Sequence, residues 1–210
     1  MGGQAGQTIS WTALRASEES GKKRSREKAF FDGNVCDSAM RRYLRCQSRS
    51  LVEITREQFS LMEEDAKIKW RNAYERDKHL KTCEDAATKL EPMLKRYVIG
   101  RNFAVGQRFS VDVEIDGTLT TLVGEIDLYV VNEDSSITLY DLKITTNNRY
   151  WRKTMAQLVM YALAMELSGY IVSGAYLLQP LCAKKFLQVD LGAQARNELV
   201  SSLGRFTEHE

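Results

Sequence analysis

The sequence predicts an α/β protein, with a mixed central β-sheet flanked by helices and preceded by an N-terminal helical region. Three observations carry that expectation. Residues 22–97 hold apolar side chains at helical spacing and contain one glycine, Gly33, and one proline, Pro92. From Ile99 the composition shifts to Val, Ile, Thr, Phe and Tyr, cut by the turn signals "IDG" and "NEDSS". A helix, two more strands and a closing helix then follow, an order that suits a mixed sheet covered by helices.

The elements follow in chain order. Residues 1–21 are Gly- and Ser-rich and read as a loose arm with at most a turn of helix at "WTALRAS". "KKRSREK" is a basic cluster, either a solvated helix start or a contact to a polyanion. Two or three helices are expected over residues 22–97, one of them capped by Thr55 with Gln58 three residues on. Pro92 either begins a helix as its first residue or breaks one. Three strands joined by hairpins come next. "RYWRKTMAQLVMYALAMELSG" predicts a strongly amphipathic helix closed by Gly169. "YIVSGAYLLQP" and "KKFLQVDL" read as strands, and "AQARNELVSSLGRF" as the last helix.

With 210 residues, 43% apolar and 28% charged, the chain reads as one folded domain over residues 1–210. The formal net charge is +2, so any basic surface is local. No apolar run has the length to cross a bilayer, so no membrane partner is expected. "MGGQAGQTIS" lacks the apolar segment of a secretory signal, and Gly6 stands where a myristoylation frame needs Ser or Thr. The expected location is the cytoplasm, a nucleoid or a host-cell interior rather than the outside. Cys36, Cys46, Cys83 and Cys182 form no C-x-x-C pair and read as reduced thiols.

The second and third strands raise a chemical question. "LVGEIDLYV" carries Asp127, and "ITLYDLKI" carries Asp141 and Lys143. Alternation along a strand puts Asp141 and Lys143 on one face and Leu142 on the other. Antiparallel pairing across "NEDSS" brings Asp127 alongside Asp141. Two close carboxylates repel, and a hard divalent cation reverses that sign. Oxygen ligands suit Mg²⁺ or Mn²⁺. The competing reading is a half-buried ion pair. The helix that follows carries Gln157 and Tyr161 on one face, with Arg149, Arg152 and Lys153 at its start.

Gly124-x-x-Asp127, then Asp141-x-Lys143, then Gln157-x-x-x-Tyr161 resembles the motif series of the PD-(D/E)XK nucleases. The branch it looks most like holds the RecB nuclease domain and the CRISPR-associated and mitochondrial single-strand exonucleases. The resemblance spans about residues 103–189 and implies a restriction-endonuclease-like core within residues 98–210. That branch usually has an earlier G-x-x-x-H motif. Here "GNVCD" puts Asp37 in the histidine position, an oxygen donor in place of nitrogen. Gln107 stands where the branch tends to carry a glutamate. Glu114 and Glu125 lie nearby, and Glu125 reads as support for the site or as the partner of a lysine. No iron–sulfur cluster is expected, because only Cys182 lies in the C-terminal region. His79 and His209 match no family position and read as solvated surface residues.

The resemblance implies a nuclease that hydrolyses DNA phosphodiesters with Mg²⁺ or Mn²⁺, in recombination, repair or replication. Asp127, Asp141, the Leu142 carbonyl and Asp37 are the implied metal ligands. Lys143 positions the attacking water. Gln157 and Tyr161 hold the strand or steady Lys143, unless Tyr161 is simply core. Arg149, Arg152 and Lys153 contact phosphates, while Tyr150 and Trp151 either stack on bases or pack inside. A helical wall over the sheet would admit free ends, single-stranded or duplex, and so favour an exonuclease. Such small chains are common in phages and viruses. The alternative is a nucleic-acid-binding or assembly subunit that keeps the fold without the activity.

Overall fold

In the computed structural model, residues 7–10, 23–115, 117–145 and 151–207 are described. The helical region is three helices: α1 (Lys23–Arg45), α2 (Leu51–Asp65) and α3 (Ala73–Tyr97). Their caps differ from the sequence expectation. Ser50, not Thr55, caps α2: its hydroxyl accepts from the Glu53 N–H at 3.2 Å, and the Glu53 carboxylate accepts from the Ser50 N–H at 2.9 Å. This is a full capping box. Thr55 is buried one turn further on and donates to the Leu51 carbonyl instead. Pro92 neither starts nor ends a helix; it lies inside α3, where packing of Leu90 and Leu94 outweighs its missing N–H.

The sheet is built on one long hairpin. Strand β2 (Asn102–Ile115) runs antiparallel to β3 (Thr118–Val131), and the pair closes at Ile115 and Thr118 beside Gly117 at φ +77°. A second hairpin joins β3 to β4 (Ile137–Leu142). There the Asp134 carboxylate accepts from the Ser136 N–H, and Ser135 adopts φ +66°. Helix α4 (Trp151–Leu167) crosses to β5 (Val172–Leu178), which runs parallel to β4. Gly169 at φ +90° ends α4, as the sequence predicts. Strand β6 (Phe186–Gln188) pairs antiparallel with β5, and α5 (Ala193–Thr207) follows. The mixed sheet is therefore as expected, with one addition. Gln7–Ser10, read as part of a loose arm, forms strand β1, parallel to β3 at Thr120–Val123.

One apolar layer covers each face of the sheet. Helices α4 and α5 bury Leu122, Ile126, Leu139 and Leu177 on one side. Helices α1–α3 bury Leu128, Val130, Tyr140 and Leu142 on the other. Helix α4 is not the strongly amphipathic helix the sequence suggests. Leu158–Ala162, Ala164 and Met165 are all buried, so apolar packing wraps most of its circumference.

Both strands of the long hairpin change faces at the same place. In β3, Ile126 packs with the α4 layer and Leu128 with the α1 layer; in β2, Phe109 and Val105 split the same way. Strict alternation would keep residues two apart on one face. The crease falls at Gly106 and Asp127, the one position missing from an otherwise continuous ladder. Gly106 adopts φ +64° there.

Candidate active site

Two strands part at the crease. The β3–β4 ladder ends at Leu128 opposite Tyr140, whereas β1 pairs with β3 only at 120–123. Residues 124–127 of β3 thus have no ladder partner on that side among the described residues. Continuing the register one step would set Asp127 opposite Asp141. Asp127 fills the gap with its side chain: its Oδ2 accepts from the Leu142 backbone N–H at 3.1 Å.

Asp141 is wholly buried, and neither carboxylate oxygen has a hydrogen bond of acceptable geometry. The Lys143 ammonium lies 2.5 Å from Asp141 Oδ2 and is itself 28% exposed. Burial pushes the Asp141 carboxyl up to about 7. Lys143 opposes that rise, and Asp127 and Asp37 add to it. Leu142 lies between the two charged residues in sequence, with its side chain in the opposite layer.

Asp37 comes from α1. Burial, together with the Asp127 charge, raises it to about 6, against the pull of Arg41. Arg41, one helical turn beyond, is the residue the sequence analysis missed. Its Nε lies 2.8 Å from Asp37 Oδ2, its Nη1 is ion-paired with Glu125 Oε1, and its Nη2 lies 3.8 Å from Asp127 Oδ1. A cation four residues beyond a candidate ligand on a helix was the available signal. Glu125, read from the sequence as support for the site or as the partner of a lysine, is held by Arg41 and by the exposed Arg108. A Cβ on Gly106 would overlap Arg41 Nη1, so a side chain there would displace the guanidinium.

Gln157 and Tyr161 do share a face of α4, and Gln157 Nε2 donates to the Tyr161 hydroxyl at 2.5 Å. Tyr161 is also core: Phe109 meets it edge-on at 5.6 Å. Burial and the nearby Asp141 push its phenol up, so it stays neutral. Gly124 belongs to this wall, since a Cβ there would lie 2.6 Å from Phe109 Cζ. Gln107 is exposed on β2, and its amide donates to the neighbouring Arg108 carbonyl. Arg149 and Tyr150 lie outside the described residues, as do the side chains of Trp151, Arg152 and Lys153. Within "KKRSREK", Lys28 is ion-paired with Glu75 at 2.7 Å.

His79 is not a solvated surface residue. Its Nδ1 lies 2.9 and 2.8 Å from the two oxygens of buried Asp32, and its ring sits 5.0 Å from Trp70. His209 lies outside the described residues.

No three acidic, His or Cys side chains among the described residues form a ready-made metal cage. The donor set nevertheless fits a hard divalent ion. Asp37 Oδ1 and Asp141 Oδ1 are buried without a partner, and all the acids present oxygen. Counted at full ionisation, Asp37, Glu125, Asp127 and Asp141 exceed Arg41, Arg108 and Lys143 by one charge, so the cluster keeps a net negative charge that attracts a cation.

A mixed sheet with a carboxylate pair and a lysine at a strand fork, backed by a Gln–Tyr pair on the crossing helix, is the architecture of a restriction-endonuclease-like protein. The family model for the PD-(D/E)XK nuclease superfamily matches residues 13–201, and the chain belongs to that superfamily. No curated protein matches the sequence. The crystal structure of SSO0001 aligns with 99% of this chain and 78% of that one, at 11% identity and a TM-score of 0.48. No described helix is long and apolar enough to cross a membrane.

Proposed function

We propose that this chain is a Mg²⁺- or Mn²⁺-dependent deoxyribonuclease, an exonuclease working on free DNA ends in recombination, repair or replication. The observation that carries this reading is the wholly buried Asp141 carboxylate. Its Oδ1 has no partner, its Oδ2 is ion-paired with Lys143 at 2.5 Å, and Asp127 reaches across the same fork. One ammonium leaves the Oδ1 of a buried carboxylate uncompensated, and a divalent ion at that oxygen would offset the burial.

Asp127, Asp141 and the Leu142 carbonyl would hold the ion, with Asp37 completing the set. The ion, when bound, supplies charge stabilisation at the scissile phosphate and acidifies water. Lys143 would orient the attacking water and take up charge on a phosphate oxygen. Tyr161 and Gln157 would fix the wall behind them. Arg149, Arg152 and Lys153 would contact phosphates without reading sequence. The layer of α1–α3, which brings Asp37 and Arg41 over the site, supports a free-end substrate. These features also favour the branch resembling RecB and the single-strand exonucleases.

End-labelled single- and double-stranded DNA, incubated with Mg²⁺ or Mn²⁺, tests the proposal. Wild type should cleave, and Asp141→Ala and Lys143→Ala should lose cleavage by about 10² or more. A closed single-stranded circle should resist; its rapid cleavage would make the enzyme an endonuclease. One observation favours a second reading, an inactive DNA-binding subunit: Arg41 already serves as a cation for three of the four carboxylates. DNA binding without metal-dependent cleavage would support it.

A further inference from the structure

The geometry points to Arg41 as a built-in counter-ion that competes with the divalent cation for Asp37 and Asp127. This rests on the metal-dependent reading above and assigns a role to a residue outside its motif series.

One guanidinium reaches three carboxylates from two elements: Asp37 on α1, and Glu125 and Asp127 on β3. The contacts are unequal. Glu125 and Asp37 are held closely, and Asp127 only at 3.8 Å. Glu125 therefore anchors Arg41, while Asp127 is the partner most easily given up. Asp37 Oδ1 stays buried and unbonded even though Oδ2 is paired, so half of that carboxylate is open to a second cation. Space for the guanidinium is built in. Gly106 sits in the left-handed region under Arg41 Nη1, where any Cβ would collide with it.

Two positive centres cannot share these oxygens without repulsion. Metal entry would loosen Arg41 from Asp127 and Asp37 and leave it on Glu125, beside the site and available to a phosphate. Without metal, Arg41 keeps the acidic cluster from repelling itself apart. Lysine cannot reproduce this, since it lacks the planar fork that meets several carboxylates at once.

Calorimetric titration of the full chain with Mn²⁺, in the absence of nucleic acid, tests the inference beside melting curves in chelator. Arg41→Gln should bind Mn²⁺ about tenfold more tightly than wild type. It should also melt several degrees lower in chelator and recover that loss at saturating Mn²⁺. Arg41→Lys should fall between the two, and it decides the matter if the Gln variant does not fold: a gain in Mn²⁺ affinity supports competition, and no gain overturns it. Equal affinity in wild type and Arg41→Gln would overturn Arg41's role while leaving the metal site standing. Absence of Mn²⁺ binding in all three proteins would instead sink the metal-dependent reading and the competition with it.

Discussion

The Asp127 carboxylate accepts the Leu142 backbone N–H at 3.1 Å, so a side chain closes the fork where β3 and β4 stop pairing. Leu142 adjoins Asp141, so this one bond sets the spacing of the two carboxylates proposed to share a metal. Asp127→Asn keeps an acceptor and should fold with stability within about 1 kcal/mol of wild type. Asp127→Ala leaves the N–H unpaired and should cost about 1–2 kcal/mol. Both should lose metal-dependent cleavage. Urea unfolding beside the nuclease assay separates the effects. If the Asn variant were as unstable as the Ala variant, the bond would not be what closes the fork.

The buried acids predict an unusual pH dependence in chelator. Asp141 is raised to about 7 and Asp37 to about 6, from an ordinary 3.8. Between those values the native protein holds protons that the unfolded chain has released. Stability should therefore fall as pH rises from about 4 to about 7, then level off. Asp141→Asn cannot ionise, so it should flatten much of that decline and be the more stable protein at pH 8, by on the order of a few kcal/mol. Melting curves from pH 4.5 to pH 8 provide the check. An unchanged slope in Asp141→Asn would show that Asp141 does not carry the effect.

The placement of Asp127, Asp141, Lys143, Gln157 and Tyr161 was legible because it depends on local periodicity and one hairpin register. Strand alternation and the i, i+4 rule suffice for those. What was not legible depends on contacts distant in sequence. Helical spacing links Arg41 to Asp37, but its contact with Glu125 spans 84 positions, and no local pattern announces that contact. Gln7–Ser10 becomes a strand only because β3 offers an edge for it beyond the point where β4 has turned away. The face switch at Gly106 and Asp127 breaks the alternation on which the strand reading relied. His79 looked like a surface residue because its partner, Asp32, lies on another helix.

Gly124 gives a packing prediction inside the motif. An added Cβ would lie 2.6 Å from Phe109 Cζ and 2.8 Å from Cε1, closer than carbon atoms approach. Phe109, which meets Tyr161 edge-on, would have to shift. Gly124→Ala should cost about 1–3 kcal/mol by overpacking. Phe109→Leu in the same chain should recover part of the loss, because the two changes share one space. Strictly additive costs in the double variant would rule out this contact as the reason for glycine.

The Asp32–His79 pair predicts a stability effect away from the proposed chemistry. Asp32 is buried between α1 and α3, and burial raises its carboxyl despite the His79 contact that lowers it. Removing the ring leaves a carboxylate with a lost partner, so His79→Ala should cost about 1–3 kcal/mol at pH 8. The deficit should shrink at pH 5, where the orphaned acid relieves its burial by taking a proton. Asp32→Asn in the same chain should cancel part of the loss and remove its pH dependence, since no charge then remains to be orphaned. Cleavage per folded molecule should match wild type. Denaturation at both pH values tests this, and a deficit of equal size at pH 5 and pH 8 would mean that the lost ring packing against Trp70, rather than the carboxylate, accounts for the cost.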